Sequence, residues 1–472
     1  MNTKAPLFFT LILSWMVPPI QANEVSFSRH VAPILLQRCA GCHGPKKAEG
    51  GFRLHTFQFL TTLADSGNPL IVSGQPERSE LFRRLVESSV DLRMPQEDDA
   101  LGSAEIDVIR QWILSGAKFD GEDEAVAYRS QLPPRNHPTA PEFYRTTIPI
   151  YALAFSPNGT QLAVGGYHEI NVWDSASGQL TKRIGNLPQR IQEIAWLDEQ
   201  QLVVSGGTPG EYGEVCVADI SSQSRIRVIG TFTDIVMSIG LNSTKDQVVA
   251  GCADQRSRVY SVTDGKLLWE AQVHSDWVTG AKFSSDDRFV ATSSRDQTVK
   301  VHEAKEGTLY TTYNGHRKQL GEFTGRFAVY DVCFHPETGE ALSLGEGEAI
   351  RIWNPEKAHV ENGDASDMEG RFFKKGHTRF VRFGAESPMF HIAVVLSDIL
   401  ISGRSGVVKS FDFSTGEPKQ TFQGHDDWIF CVDGNMDATR IAAGSFNGTV
   451  IIWDALTGET CSQFKAAPGL EK

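Results

Sequence analysis

Five residues near the N-terminus, Cys39-Ala40-Gly41-Cys42-His43, combine side-chain types and spacing that permit covalent and metal chemistry. Two thiols separated by two residues can add across the two vinyl groups of one porphyrin as thioethers, and the adjacent imidazole is then placed to bind the iron. Two other chemistries use paired thiols. A zinc site wants a second Cys or His pair at ligand spacing, and the next cysteine is the distant Cys216. A redox-active dithiol wants the strand–helix context of a βαβ unit, whereas this pair follows a helical pattern and precedes Gly44-Pro45. The residues therefore favour one covalently bound haem c, attached at Cys39 and Cys42, with iron held by His43. Met94, in Leu92-Arg93-Met94-Pro95, is the only methionine between the N-terminal apolar stretch and the strand-rich region. Its thioether is the candidate second axial ligand and would raise the reduction potential. His55 is the competing donor, and His30 reads as a surface residue of the first helix.

The elements that must position these groups are helical. From Val25 to Phe119, Val31, Ile34, Leu35 and Leu36 fall at helix spacing. Leu81, Phe82, Leu85 and Val86 repeat it, as do Ile106, Ile109, Ile113 and Leu114 around Trp112. Ser103 is the expected N-cap of the last helix, with Glu105 in its first turn and Gly116 at its end. A small unit with three short helices and long loops needs a further source of core, which a buried porphyrin would supply.

The chain has 472 residues, 40% apolar, with 45 basic against 58 acidic residues and a formal charge of −13. That length suits about two to four domains of ordinary size. Twenty-seven Phe and nine Trp exclude a mainly disordered chain. The acidic balance argues against non-specific nucleic-acid binding, which needs Lys and Arg to neutralise phosphates. Seven cysteines are too few for a disulfide-dense scaffold. Lys4 and the apolar run Pro6 to Val17 read as a signal peptide over residues 1–22, with Ala22 at the cleavage point. The run is too short to span a membrane, which takes about 20 apolar residues, so the expected mature chain is exported, periplasmic or otherwise, and soluble.

Residues 23–121 form the expected haem domain, 122–142 a Pro-rich solvated linker, and 143–472 a repeat array. The repeats are clearest at Ile170–Asp174 (INVWD), Ile350–Asn354 (IRIWN) and Ile451–Asp454 (IIWD). Their degenerate copies end at Asp219, Ser261, Glu303 and Asp412, and the spacings lie close to the ~40–45 residues of a four-stranded propeller blade. Two longer spacings place insertions within Gly315–Arg326 and Ala358–Lys375, read as rim loops. Cys216, Cys252, Cys333, Cys431 and Cys461 fall in strands of different blades and read as buried free thiols. The acidic run Glu97-Asp98-Asp99 reads as a solvated loop.

Gly315-His316, Gly376-His377 and Gly424-His425, with the Trp-Asp pairs, resemble WD-repeat propellers, and seven blades are expected. The resemblance implies a structural role for these His and Trp residues. In the last blade Asn447 stands at the turn position where the family has Asp. Thr460–Lys465 can supply the outer strand of that blade, so closure need not borrow Phe143–Thr147.

Phe27 to Gly121 resembles the planctomycete-type cytochrome c domain. The resemblance rests on a helix running into Cys-x-x-Cys-His-Gly, Ser73-Gly74-Gln75-Pro76-Glu77-Arg78-Ser79-Glu80-Leu81, the Met94-Pro95 loop and a closing helix with Trp112-Ile113. It implies Cys39 and Cys42 as attachment points and His43 and Met94 as axial ligands, although Gln96 stands where relatives often carry a second Pro. The expected architecture is a small all-α cytochrome c domain followed by an all-β seven-bladed propeller. The expected function is one-electron transfer, with a redox partner protein and a further protein or polymer ligand for the propeller rim. A haem-dependent oxidoreductase with an open iron site and a redox-sensing scaffold are the alternatives.

Overall fold

The computed structural model describes residues 25–40, 42–44, 48–63, 66–96, 99–126, 128, 133–316, 318–320, 323–325, 327–363, 375–383 and 388–470. The expected signal peptide lies outside them, as do Gly41, Glu97 and Asp98. The chain divides into two compact units, one ending at Pro134 and one beginning at Arg135.

In the first unit a wide turn over Phe27–Val31 leads into α1 (Ala32–Arg38). The Ser26 hydroxyl accepts the Arg29 N–H at 3.1 Å, and Ser26 N–H donates to the His30 ring at 3.0 Å. His30 is thereby an exposed capping residue. Pro33 stands in the first turn of α1, where no intrahelical N–H is required. A single turn, α2 (Phe57–Leu60), was not evident from periodicity; α3 (Glu80–Leu85) and α4 (Ser103–Leu114) match the expected helices. The cap of α4 differs by one residue. Ser103 is its first helical residue, and the Glu105 carboxylate accepts the N–H of Gly102, the actual cap, at 2.9 Å.

Phe27, Leu35, Leu60, Ile109, Trp112 and Ile113 are almost fully buried in one cluster. The Phe27 ring meets Phe57 edge-on at 5.0 Å and Trp112 at 5.3 Å. Each such side chain contributes roughly 1.5–3 kcal/mol by leaving water, so the helices hold one another through α1, α2 and α4.

The second unit has seven four-stranded antiparallel sheets, each built from four consecutive strands. The first runs Leu153–Phe155, Gln161–Gly165, Ile170–Asp174, Leu180–Ile184, and the last ends in the outer strand Thr460–Lys465. The repeated segments form the third strand each time, and where they end in Asp that residue has a local task. Asp174 accepts the Ser177 N–H at 2.8 Å, Asp412 that of Thr415 at 2.9 Å and Asp454 that of Thr457 at 2.8 Å. This side-chain turn directs the chain into the outer strand. Gly178, Gly416 and Gly458 complete it at φ 66°, 73° and 73°, a region that favours glycine.

Among the described residues no strand is exchanged between blades; at the closing seam Ile150 N–H donates to the Ser445 carbonyl at 3.1 Å. Asp433 of the last blade accepts the Phe155 N–H of the first at 2.8 Å. Ile150, Cys431 and Leu153 share a buried cluster across the same seam.

The insertions differ from simple rim loops. The first holds a hairpin, Lys318–Leu320 with Phe323–Gly325. The second begins as α5 (Pro355–Gly363), which lies along the outer strand Leu309–Tyr313 of the fourth blade. The His359 ring stacks on Tyr310 at 4.1 Å, and the Asn362 amide donates to Thr312 O at 2.9 Å. An otherwise open sheet edge is covered in this way.

In the second half of the Pro-rich stretch Pro134, Arg135, Asn136, Pro138 and Thr139 are exposed, while other residues of it bond the repeat unit. His137 is buried against Glu214 at 3.3 Å, and Arg183 donates to the Glu142 carbonyl at 3.1 Å. Of the blade cysteines expected to be buried thiols, Cys216, Cys252 and Cys431 are buried and Cys333 is half-buried, whereas Cys461 is exposed and shares the last blade with Cys431.

Candidate functional site: a two-cysteine, histidine turn and a tethered methionine

The end of α1 continues as one further turn. Cys42 N–H donates to the Cys39 carbonyl at 3.2 Å and His43 N–H to the same oxygen at 3.0 Å. Residues three and four apart on such a turn share a face, so Cys39, Cys42 and His43 come together. The chain then reverses. Glu49 N–H donates to Cys42 O at 3.3 Å and Leu54 N–H to His43 O at 2.7 Å. Gly44 makes the reversal possible, because a Cβ there would stand 2.6 Å from the Ala40 carbonyl oxygen. The His43 ring meets Phe52 edge-on at 5.7 Å.

Cys39 packs against the helical core, and burial pushes its thiol up to about 12 despite the opposing charge of Arg38. A redox dithiol works through a readily formed thiolate, so this environment disfavours that alternative. Among the described residues no group of three or more His, Cys, Asp or Glu side chains converges as a metal cage.

Met94 follows α3 and is tethered to it. Its N–H donates to the Arg84 carbonyl at 2.9 Å, while the Arg84 guanidinium donates to the Leu92 carbonyl at 3.3 Å. The Ser73–Leu81 motif acts upstream of this tether. Ser79, fully buried, accepts the Val72 N–H at 2.8 Å; Gly74 N–H donates to Ile113 O at 2.8 Å and the Ser73 hydroxyl to Gly116 O at 2.9 Å. The motif thus fixes α3 against the end of α4. Val86, Val90 and Leu92, between α3 and Met94, are 49%, 69% and 50% exposed, three apolar side chains interleaved with Glu87, Ser88, Ser89 and Asp91 on the segment that carries the thioether. Two thiols, an imidazole and a thioether in one helical unit are a donor set that fits an iron porphyrin. His55, the competing donor, lies at 5.1 Å from the Phe59 ring, and its Nδ1 is buried without a hydrogen-bond partner.

The propeller holds what sequence reading missed. A cavity of about 510 Å³ is lined by Tyr151, Tyr330, Phe390 and Phe430, with Glu193, Asp331 and Asp433 on its wall. These carboxylates stitch neighbouring blades. Glu193 accepts the Ser238 hydroxyl at 2.6 Å and the Ile239 N–H at 2.7 Å and pairs with Lys282; Asp331 accepts the Ile392 N–H at 3.0 Å. Burial pushes Asp433 up to about 6. Each carboxylate already bonds blade backbone or side chains, which marks the cluster as structural.

The Gly-His and Trp residues serve differently from blade to blade. In the fifth blade the Trp353 indole N–H donates to Ser343 Oγ at 3.3 Å, and Ser343 Oγ lies 2.8 Å from His316 Nε2. In the last blade Asn447 turns its amide to Asp426, and Trp453 donates to the Gln423 carbonyl at 3.0 Å. The fourth blade carries an unforeseen version. His274 bonds Asp296 and Thr292, both at 2.9 Å, and His302 stands where other repeats have Trp. The signal was Val273-His274-Ser275-Asp276-Trp277, which parallels Gly424-His425-Asp426-Asp427-Trp428 without the glycine.

Comparisons with known proteins agree with both halves. Residues 39–98 match the family described as Planctomycete cytochrome C. Residues 143–174, 265–303 and 416–454 match the WD domain, G-beta repeat. WD repeat-containing protein 1 of Gallus gallus is 21% identical over 66% of this chain and 48% of its own length. Actin-interacting protein 1 of Drosophila melanogaster is 20% identical over 64% and 47%. Serine-threonine kinase receptor-associated protein of Homo sapiens is 22% identical over 50% and 72%. The chain spans about half the length of the first two. Among the described residues no helix is long and apolar enough to cross a membrane. A segment of the planctomycete cytochrome C type is thus joined in one chain to a seven-bladed WD-repeat propeller.

Proposed function

We propose that this protein is an exported one-electron carrier with one covalent haem c, and that its propeller docks a partner protein. The observation that carries the reading is the single turn bearing Cys39, Cys42 and His43, within a segment matching a cytochrome family. Haem, when bound, supplies an iron that cycles between two oxidation states. The chain's own residues do the rest. Cys39 and Cys42 would hold the group covalently, His43 and Met94 would bind its iron, and the α1–α4 core would supply the apolar wall. Outer-sphere transfer asks for no general acid or nucleophile. Relatives whose names describe interaction with actin or association with a receptor support a protein partner for the propeller.

The test is a denaturing gel of the mature protein, made with a cytochrome maturation system and stained for haem peroxidase activity. Covalent haem gives a coloured band at the full chain's mass, and the Cys39→Ser/Cys42→Ser variant gives none. An unstained wild-type band overturns the reading.

A further inference from the structure

We propose that Arg84, held by Glu80, is a positioning residue for Met94: it sets where the methionine thioether stands and so how firmly it occupies its axial site. This rests on the haem reading above. Arg84 makes the tether twice. Its backbone carbonyl, in the last turn of α3, has no intrahelical N–H to receive, and Met94 N–H fills that place at 2.9 Å. Its side chain reaches the same segment two residues earlier, Nη1 donating to the Leu92 carbonyl at 3.3 Å.

The guanidinium is itself oriented. Its Nε donates at 2.8 Å to Glu80 Oε1, one turn earlier on α3, and Glu80 is only 3% exposed. A buried carboxylate persists where it is paired, and here the pairing aims the Arg84 fork at the loop. Between the two attachments the segment is shaped by its own bonds: Leu92 and Arg93 N–H both donate to the Ser89 carbonyl at 3.1 and 2.9 Å. The loop that ends at Met94 is therefore closed on α3 by one residue, at the Leu92 carbonyl and the Met94 amide. Arg83 is the built-in comparison. It too pairs with Glu80, at 3.1 Å, and none of its hydrogen bonds reaches the Leu92–Met94 segment.

The experiment uses the full haem-loaded chain with imidazole as the competing ligand. Ferric wild type is expected to show the weak near-infrared band of iron–thioether ligation. Arg84→Ala and Glu80→Gln are expected to lose part of that band and to bind imidazole about tenfold more tightly, the scale of one charge-assisted hydrogen bond. Arg84→Lys should recover part of the effect, and Arg83→Ala should match wild type. In the haem-free Cys39→Ser/Cys42→Ser background, Arg84→Ala should speed proteolytic cleavage within residues 86–93. If wild type has the band and both variants keep it with unchanged imidazole affinity, the inference is wrong while the carrier reading stands, even if thermal stability falls. If wild type lacks the band, the Met94 assignment falls, and this inference with it.

Discussion

Replacing Ser343 by alanine isolates the bond chain of the fifth blade. Ser343 is fully buried, as are Trp353 and His316. The indole N–H can only donate, so the serine oxygen receives it and the serine proton is available to His316 Nε2. Burial holds the His316 imidazole well below its usual range, which keeps it neutral and able to accept. Alanine strands two buried polar atoms at once, each at about 1–3 kcal/mol, so the expected loss is about 2–6 kcal/mol. Ser445→Ala is the matched control. Ser445 is equally buried, but Trp453 donates to Gln423 instead, so its removal strands no donor and costs about 1 kcal/mol. Urea unfolding followed by tryptophan fluorescence measures both. Trp353→Phe keeps the ring stacked on Tyr313, 4.5 Å away, and should cost about 1 kcal/mol less in the Ser343→Ala background than in wild type. Equal losses for the two serine variants, or strict additivity with Trp353→Phe, would refute the argument.

Three further outcomes follow from the geometry. Burial holds His302 at about 4, against an unfolded value near 6.5, so the unfolded chain takes up the proton first; stability present above pH 6.5 should fall by up to about 3 kcal/mol toward pH 4, and His302→Gln should flatten urea midpoints across that window. Asp433 has the opposite sign. Its folded value is raised to about 6 from 3.8, so its contribution is full below pH 4 and lost as pH rises through 6, and Asp433→Asn should remove that dependence from the same titration. Gly44→Ala must move the Ala40 carbonyl and should destabilise the helical unit by about 1–3 kcal/mol, read as a lower melting temperature and less haem per chain.

The reach of the sequence was greatest where local chemistry decides the structure. Each repeat's third strand, and the Asp turn where a repeat ends in Asp, are set by residues within five positions of one another, so the blade count was legible even in degenerate copies. The Cys39–His43 turn was legible for the same reason. What escaped depends on distant partners. Arg84 is an ordinary helical arginine until the loop to Met94 folds back on it. Glu193, Asp331 and Asp433 belong to three blades and meet only in the closed ring. α5 carries one buried apolar residue, Ala358, and an exposed Val360, too little pattern to announce a helix; its partner is the sheet edge at Tyr310.

Because every sheet is complete within one stretch of chain, the first and last blades meet as any two neighbours do, through Asp433 and Phe155 rather than through a shared ribbon. Nothing in the topology marks that junction as the obligatory place for the ends. New ends cut at any other blade boundary of the repeat unit, with that unit's own first and last residues spliced, should yield the same ring. Synthesis can also finish each sheet as it emerges, leaving only the joining of the two terminal sheets until the whole polypeptide is made.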